Sequence, residues 1–535
     1  MNSEELRGPK LSRRRLLAVA GAIGVGGLAA ACAPGPSTAS PTGPAASPRR
    51  GGTLTYVRST DAITLDPPYA GDIGGSGNTI LMLFEGLVAY NAELEIQPLL
   101  ATKWDVKDTV WTFTLRTGVR FHDGTPFNAA AAKAHFDRLL GAEKPLRASV
   151  FVPFIDKVEA PDEVTLRFTT KFVDAYFLTR LADTAAYIGS PAAFGRSGKD
   201  GLTRNPVGTG PFKFVEWIKD EHLTLARNDD YWGDKAYLDR VIIRPVPDAE
   251  ARAIALESGD VQLAGSLNPE QIARLQGNPK LAVITKPTTR NQFVGMASLK
   301  KPFSDLRVRR ALNHAIDKES IAKNLFAGTA EALGGAVAPG VADYVAVPGF
   351  AYDPARAKQL LADSGYPSGF STTLVGTKGQ IAKDFELQQL IQQQLKVVGV
   401  DVQIQSLENA KYLDLLRMDP AKSPLEMYMD NWGGTTAADV IENRYGCEWF
   451  RPKGQNTAGF CDPRVSDLAQ QALKITDPGK RQALLKEAQE LLSQDAPSIW
   501  LFVSKSIQAA DKRLHDAVVS RNGALYVDQH TWLEG

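Results

Sequence analysis

The chain has 535 residues, of which 44% are hydrophobic and 23% are charged, and its 61 basic and 60 acidic residues give a net charge of +1. So balanced a charge provides no basic field for nucleic-acid phosphates, and we expect no nucleic-acid partner. One hydrophobic core rarely serves more than about 300 residues, so the length predicts two or three domains.

The first 32 residues have the features of an export signal. Arginines at positions 13–15 precede an uncharged segment at residues 16–31, which is too short and too rich in glycine for a membrane-spanning helix of about 20 apolar residues. The arginines resemble a twin-arginine signal. The small residues before Cys32 resemble a lipoprotein cleavage box, in which Cys32 becomes the acylated first residue of the mature protein. Leu28 lies four places before Cys32, where the usual box has its aliphatic residue at three, so secretion with cleavage nearby is the alternative.

Residues 33–50 consist almost entirely of Ala, Pro, Gly, Ser and Thr. Such a segment has nothing to bury and is predicted to be a disordered tether. At about 3.1 Å per residue, an extended proline-rich tether of this length spans roughly 50 Å. We therefore expect a protein of the cell envelope that is lipid-anchored to the outer face of the cytoplasmic membrane or periplasmic.

Strand and helix patterns alternate beyond the tether, which predicts an α/β fold. The helices are recognised by their apolar stripes and by glycine or proline near their ends. In chain order the expected elements are strand 51–57, strand 111–116, helix 129–140, strand 241–243, helix 355–364, strand 400–404 and helix 478–493.

Two cysteines remain once Cys32 is assigned to a lipid, Cys447 and Cys461. In an oxidising exterior we expect them to form one disulfide, which closes a loop of about 15 residues and is worth about 3 kcal/mol in the loop-entropy model. Two free buried thiols are the alternative. A metal site is disfavoured because two cysteines with no histidine between them supply too few ligands.

The sequence lacks the motifs of common enzyme active sites. It contains no G-x-x-x-x-G-K, no H-E-x-x-H and no G-x-S-x-G. His122, in the turn at residues 121–126, is more typical of a histidine bonded to backbone than of a catalytic base. Adjacent carboxylates such as Asp229 and Asp230 are expected at the surface and give a glycosidase little support. We therefore expect no catalytic residue, no metal and no cofactor.

Several segments in order resemble family 5 of the extracellular solute-binding proteins of ABC importers, the peptide, dipeptide and nickel-binding group. The most specific is residues 111–126 (WTFTLRTGVRFHDGTP), which match the signature of that group almost completely. The resemblance runs from about residue 51 to the C-terminus. The other matching segments are 84–87 (FEGL), 98–104 (PLLATKW), 205–212 (NPVGTGPF), 227–233 (RNDDYWG), 308–317 (VRRALNHAID), 353–367 (DPARAKQLLADSGYP) and 459–465 (GFCDPRV).

The resemblance implies a two-lobed, periplasmic-binding-protein-like clamp of type II with an extra domain inserted in the first lobe. We expect the first lobe at residues 51–287 plus 499–535, the inserted domain at 89–205 and the second lobe at 288–498. The solute, a peptide or another small organic molecule, would bind between hinged lobes that close around it. The implied partners are that solute, ABC permease subunits and, through the lipid, the membrane, with the receptor acting as a monomer.

Two other classes of protein stay open at this point. One is a secreted enzyme such as a hydrolase on the same fold, and the other is a solute sensor linked to a membrane kinase. The fold alone does not decide among them, because function lies in the site that a fold carries.

The candidate binding residues follow from the family's ligand-contacting segments. Peptide binders of this family have a W-x-x-D segment whose aspartate pairs with the α-ammonium group of the peptide, but Thr435 stands at that position after Trp432. A neutral hydroxyl cannot replace a carboxylate opposite a buried charge, so ordinary peptide import is in doubt. Asp430 or Asp439 could supply the acid if the loop is rearranged, and Trp432 offers a flat face to a ring or a cation.

Four more residues complete the expected set. Tyr69, Asp72 and Ser76 belong to the segment that resembles the family's first ligand loop. Arg290 lies beside the first expected crossover between the lobes, at residues 287–290, and the second crossover is expected at residues 496–499.

Overall fold

The computed structural model describes residues 47–70, 73–141, 145, 147–377 and 383–535. The expected export signal with Cys32, most of the tether, and Asp72 lie outside these ranges. Pro48–Gly535 form one compact unit. Within the described residues no helix is long and apolar enough to span a membrane.

The seven elements expected from the sequence are present, at Thr53–Arg58, Val110–Leu115, Ala129–Leu140, Arg240–Pro245, Pro354–Asp363, Val400–Leu407 and Pro478–Asp495, so the α/β prediction is confirmed. The strands are β1 (Thr53–Arg58), β2 (Val88–Tyr90), β3 (Ile96–Pro98), β4 (Ala101–Lys107), β5 (Val110–Leu115), β6 (Ile155–Glu159), β7 (Thr165–Thr170), β8 (Phe212–Ile218), β9 (His222–Arg227), β10 (Arg240–Pro245), β11 (Leu263–Ala264), β12 (Leu281–Met296), β13 (Ala330–Ala332), β14 (Phe370–Thr377), β15 (Val400–Leu407), β16 (Met427–Gly433), β17 (Ser498–Asp511), β18 (Leu514–His515), β19 (Val518–Val519), β20 (Leu525–Tyr526) and β21 (Trp532–Leu533). The α-helices are α1 (Asn78–Leu83), α2 (Ala129–Leu140), α3 (Phe177–Leu181), α4 (Pro191–Arg204), α5 (Ala249–Ser258), α6 (Pro269–Gln276), α7 (Leu306–His314), α8 (Lys318–Ser320), α9 (Pro354–Asp363), α10 (Asp384–Val397), α11 (Asn409–Leu416), α12 (Ala437–Tyr445), α13 (Pro463–Leu473) and α14 (Pro478–Asp495).

Side-chain caps explain why the predicted helices begin where they do. The Asn128 side chain accepts a hydrogen bond from the backbone N–H of Ala131 at the start of α2. Asp353 caps α9 and Asp477 caps α14 in the same way, and a proline follows each of them at the first helical position. Each cap satisfies a backbone N–H that has no partner inside the helix.

One eleven-stranded sheet runs through the molecule, in the order β15-β14-β16-β12-β17-β11-β1-β10-β9-β8, with β13 also paired to β17. We call β11, β1, β10, β9 and β8 its first half, and β13, β15, β14 and β16 its second half. The long strands β12 and β17 belong to both, because they pair antiparallel from Leu281 opposite Asp511 to Gly295 opposite Ser498. Their pairing shifts register between Pro287 and Asn291.

The hydrophobic cores change along these two strands at the register shift. Ile507 and Ala509 of β17 pack with first-half residues, whereas residues 499–503 pack in the two cores that flank the second half. On β12, Leu281 packs with the first half and Phe293 with the second. We therefore propose that the return crossover lies near residues 503–507 of β17, later than the 496–499 segment that was expected, because the core packing of β17 changes only there.

A separate four-stranded sheet, in the order β4-β5-β7-β6, has a core of its own whose buried residues run from Leu87 to Ile188. We call it the four-stranded domain. Its aromatic side chains form a cluster, in which the Phe113 and Phe168 rings meet edge to face at 5.7 Å and Phe136 lies 4.8 Å from Phe168. The domain begins and ends at one place, where the N–H of Ile188 donates to the carbonyl of Glu85 at 2.9 Å.

The FEGL and NPVGTGPF segments are held together by close backbone packing. A side chain at Gly208 would lie 2.1 Å from the carbonyl oxygen of Leu83, and one at Gly210 would lie 2.7 Å from that of Met82. These two glycines are required for the close approach of two chain segments, whereas Gly118 and Gly124 adopt positive φ angles of 77° and 82°.

A buried carboxylate joins three of the sequence motifs. Glu85 accepts hydrogen bonds from the hydroxyl of Thr209 at 2.7 Å, the hydroxyl of Tyr231 at 2.7 Å and the indole N–H of Trp232 at 2.8 Å. Burial raises the pKa of Glu85 to about 7, although these three hydrogen bonds act to lower it. The packing and hydrogen bonding around Glu85 therefore explain why these three motifs lie together.

The two cysteines expected to pair are joined in the structure. Cys447 and Cys461 form a disulfide with a sequence separation of 14 residues. Cys447 begins a short 3-10 helix, and Cys461 directly precedes Asp462, the N-cap of α13. This loop lies directly after α12, which carries several residues of the candidate site described below.

We expect Glu85→Gln to weaken the pH dependence of stability. The folded-state pKa of Glu85 is raised to about 7 from 4.5, so its contribution to the free energy of unfolding is present at acidic pH and is lost as pH rises through 7. The loss is at most about 3 kcal/mol in the wild type and should be absent in the variant. Urea unfolding at pH 5 and pH 8 measures it, with exposed Glu163→Gln as control. Equal pH profiles for all three proteins would contradict this account.

Candidate functional site

The register shift on β12 creates the point around which the candidate site is built. At the shift, the hydroxyl of Thr288 donates to the carbonyl of Ser504 at 2.8 Å, and the N–H of Thr289 donates to the carbonyl of Arg521 at 2.9 Å. Residues 288–290 therefore leave the regular β12–β17 ladder at the junction of the two halves. Arg290, one of the expected ligand residues, lies at this junction.

Strand alternation places two expected residues on one face of β16. Asp430 lies opposite Phe293 of β12, and Trp432 lies opposite Asn291, so their side chains project to the same side of the sheet. On that side Arg444 of α12 donates to Asp430 at 2.9 Å, with both side chains largely buried. Its guanidinium also lies 4.1 Å from the centre of the Trp432 ring.

Arg444 therefore changes what Asp430 and Trp432 can offer a solute. The charge of Asp430 is matched by a buried guanidinium, and one face of the Trp432 ring is covered by a cation of the protein itself. Asp430 in this arrangement is an ion-pair partner that positions Arg444. Its direct role in solute binding stays a prediction, as does that of Trp432.

Thr435 and Asp439 face the four-stranded domain. The side chain of Thr435 lies near the hydroxyl of Tyr90 and acts to lower its pKa, which burial raises. Tyr90 donates to the carbonyl of Thr179 at 3.3 Å. Asp439 lies 3.7 Å from Nη2 of Arg180, the residue after Thr179. The loop that carries Thr435 thus meets β2 and α3 directly, and Asp439 is an acid close to that meeting point.

A second set of contacts joins the same two parts of the molecule. The hydroxyl of Tyr176 donates to Asp343 at 2.6 Å, and Nε of Arg481 donates to the same carboxylate oxygen at 3.0 Å. Nearby, the N–H of Ala175 donates to the carbonyl of Leu473 at 2.9 Å. Tyr176 is 4% exposed and packs in a core of the second half. The four-stranded domain and the second half are therefore in direct polar and apolar contact.

Arg290 is a charged residue at the junction whose side chain is bonded to a neutral group and not to a carboxylate. Its Nη1 donates to Oδ1 of Asn431, a neutral acceptor. The side chain is exposed to solvent, yet burial by surrounding protein lowers its pKa, and the charge of Arg444 lowers it further against the opposite effect of Asp430. Arg290 is therefore exposed to solvent and at the same time partly enclosed by protein. We call its surroundings the Arg290 crevice.

Of the first-loop residues, Ser76 is held by its own loop. The hydroxyl of Ser76 is buried and accepts hydrogen bonds from the N–H groups of Ile63 at 3.0 Å and Thr64 at 3.3 Å. Tyr69 is half-buried, and the guanidinium of Arg138 lies 5.7 Å from its ring centre. Asp72 lies outside the described residues. The assignment of these three residues to a solute site stays a prediction.

The residues that sequence reasoning missed include partners of those it found and a second set of contacts between the same parts of the molecule. Arg444, Arg180, Tyr90, Tyr176 and Asp343 were not expected at the site. The alternation of β16 could have indicated that Asp430 and Trp432 share a face, but no local pattern placed α12 over that face. Among the residues that the structure describes, no group of three or more His, Cys, Asp or Glu side chains is placed to hold a metal ion.

Comparison with known proteins gives consistent matches over most of the chain. A family model described as bacterial extracellular solute-binding proteins, family 5 Middle, matches residues 95–446. The glutathione-binding protein GsiB of Pectobacterium atrosepticum is 34% identical over 458 residues, which cover 84% of this chain and 88% of that protein.

Solved structures give the same result. The ABC transporter-associated periplasmic binding protein DppA from Helicobacter pylori, in complex with the peptide STSA, has a TM-score of 0.75 and 30% identity, with 90% of this chain and 99% of that chain covered. HbpA2 from Haemophilus parasuis, with a TM-score of 0.81 and 24% identity over 90% of this chain and all of that one (100%), shares the fold.

The chain belongs to family 5 of the bacterial extracellular solute-binding proteins. It is a substrate-binding protein of an ABC transporter with the two-lobed fold of the periplasmic binding proteins, so the family and the fold class expected from the sequence are confirmed.

We expect Tyr176→Phe to loosen the contact between the four-stranded domain and the second half. The variant loses one hydrogen bond to the charged Asp343, worth about 1.5 to 3 kcal/mol, which corresponds to a roughly 10- to 100-fold change in the ratio of joined to separated forms. Small-angle scattering of the solute-free protein should give a larger radius of gyration for the variant than for the wild type. Tyr352→Phe, at an exposed tyrosine, is the control. An identical radius for all three would mean that this bond does not hold the parts together.

Proposed function

We propose that this chain is the exported receptor of an ABC importer for a peptide-like solute of the glutathione class. It binds the solute at the junction of the lobes, between the Arg290 crevice and the loop that carries Thr435, and delivers it to the permease subunits without altering it. We expect it to act as a monomer. The observation that carries the proposal is the match to glutathione-binding proteins over 84% of the chain. The comparisons lend no support to a hydrolase or a sensor.

The neutral residue at position 435 agrees with this class of solute. Glutathione is joined through the side-chain carboxyl of its first residue, so its α-ammonium group carries an α-carboxylate next to it. That end of the molecule has no net charge, and a buried acid opposite the ammonium group is not required as it is for an ordinary peptide. Thr435 supplies a hydroxyl there, and Asp439 lies close by with its charge shared with Arg180.

Closure around the solute follows from the shared strands. β12 and β17 are the connections between the halves at the register shift, so bending there rotates one half against the other. The hydrogen bond of Tyr176 to Asp343 joins the four-stranded domain to the second half, and we expect it to hold the closed form together. Closure sheds water and strengthens every polar contact with the solute.

The substitution Thr435→Asp should improve binding of ordinary peptides. It restores a carboxylate where peptide binders of the family have one, so peptides with free N-termini should gain at least about tenfold in affinity relative to their N-acetylated forms. Isothermal titration calorimetry with matched di- and tripeptides measures the ratio, and glutathione serves as the reference solute.

Thr435→Asn is the matched control, because it has nearly the same shape as aspartate and no charge. It should leave the ratio of free to acetylated peptide unchanged. Tight binding of free peptides by the wild type, abolished by acetylation, would show that another acid already serves as the anchor and that the assignment of Thr435 is wrong.

The three cysteines allow a test of the expected lipid anchor and of the expected disulfide. We expect the mature protein to begin at Cys32 with a lipid attached, and Cys447 and Cys461 to be joined. Thiol titration of the denatured, unreduced protein should find no free thiol at these two positions, and the mass of the N-terminal peptide should include the acyl groups. Two titratable thiols would refute the disulfide, and an unmodified N-terminus downstream of Cys32 would refute the anchor.

A further inference from the structure

We propose that Arg290 is a carboxylate-binding residue, and that the solute therefore presents an anionic carboxyl group to the junction of the lobes. This inference deepens the proposed function and rests on it. It names a chemical feature that the solute must have, whatever the rest of its structure.

The first support is the balance of charge around Arg290. The charges of Arg444 and of Asp430 act on both Arg290 and Arg451, in opposite directions. Asp430 forms its ion pair with Arg444 at 2.9 Å. The charge of Asp430 thus acts on three guanidinium groups, and the one that it pairs with directly is Arg444.

The second support is the hydrogen bonding of the guanidinium. Within the described part of the chain, the Arg290 side chain makes one hydrogen bond, from Nη1 to the amide oxygen of Asn431. A guanidinium has five N–H donors in a planar fork that matches the two oxygens of a carboxylate. The bond to Asn431 fixes the plane of the fork and leaves its other donors for a second acceptor.

The third support is position. Arg290 follows Thr288 and Thr289, which bond to Ser504 and Arg521 at the register shift, so its backbone is fixed at the junction of the halves. Its own N–H donates to the hydroxyl of Thr288 at 3.2 Å. The side chain is solvent-exposed, so an incoming carboxylate reaches it without displacing a salt bridge.

A carboxylate at this position also lowers the cost of burying the cluster. Protein surrounding Arg290 and Arg451 lowers the pKa of each, in both cases first through burial and also through the charge of Arg444. An anion beside Arg290 neutralises part of this repulsion. Without such an anion, closure of the lobes would bury the unbalanced positive charge of Arg290, Arg444 and Arg451 and would be less favourable. Tight closure therefore requires the carboxylate.

The test compares Arg290→Gln with the wild type on pairs of solutes that differ in one carboxyl group. The pairs are glutathione with its diethyl ester, and di- and tripeptides with their C-terminal amides. In the wild type the acid should bind at least tenfold more tightly than its neutral counterpart. In Arg290→Gln this preference should fall to less than threefold, because the neutral counterparts bind the two proteins alike. Arg290→Lys should keep part of the preference, since it retains the charge but not the fork.

Arg356→Gln, at an exposed arginine of α9, is the control and should behave as the wild type. Unfolding temperatures of all variants exclude a general loss of fold. If glutathione does not bind but another acid does so through Arg290, the glutathione proposal fails and this inference stands. If no acid binds more tightly than its neutral partner, or if Arg290→Gln keeps the full preference, the inference is wrong.

Discussion

The pairing of β12 with β17 is the constraint on which the rest of this structure depends. Two strands of 16 and 14 residues run antiparallel through both halves of the sheet, and each contributes side chains to the cores on either side of the register shift. The regular ladder stops for a few residues between Pro287 and Asn291. Because a sheet bends most easily where its ladder is interrupted, the proposed hinge and the candidate solute site fall at the same place. Arg290 lies at the junction because the regular pairing of β12 with β17 is interrupted between Pro287 and Asn291.

Much of the fold could be predicted from local sequence signals. Helices α2, α9 and α14 were located closely because apolar residues and glycine or proline near the helix ends mark them in the sequence, and in the structure each begins at a side-chain cap. The long strand β12 was not predicted, because its middle contains proline and the polar residues of segment 287–292, which locally indicate a connection between domains. Only its partner strands make that segment part of a sheet. The order of strands in the sheet likewise depends on contacts between residues more than 200 positions apart, such as Leu281 with Asp511.

The candidate site was predictable in part, and the limit has a physical cause. Family resemblance indicated Asp430, Trp432, Thr435 and Arg290, which the fold brings to the second-half side of the junction. The resemblance could not indicate that Arg444 pairs with Asp430 and covers a face of Trp432, since the packing of α12 against β16 decides this. The contacts between the four-stranded domain and the second half, such as Tyr176 with Asp343 and Arg180 with Asp439, were equally hidden, because their members are separated by well over 100 residues.

The chain enters and leaves the four-stranded domain at one place, which affects how this domain could be exchanged for another. Its core lies between Leu87 and Ile188, and the chain returns at Ile188 to bond the carbonyl of Glu85, so the two ends of about one hundred residues meet across one hydrogen bond. A segment that leaves and rejoins its parent at adjacent points can be exchanged for another of different shape without moving the strands around it. The region that touches Thr435 and Asp439 therefore joins the rest of the chain at a single seam, and the wall that it gives to the candidate site belongs to one continuous segment.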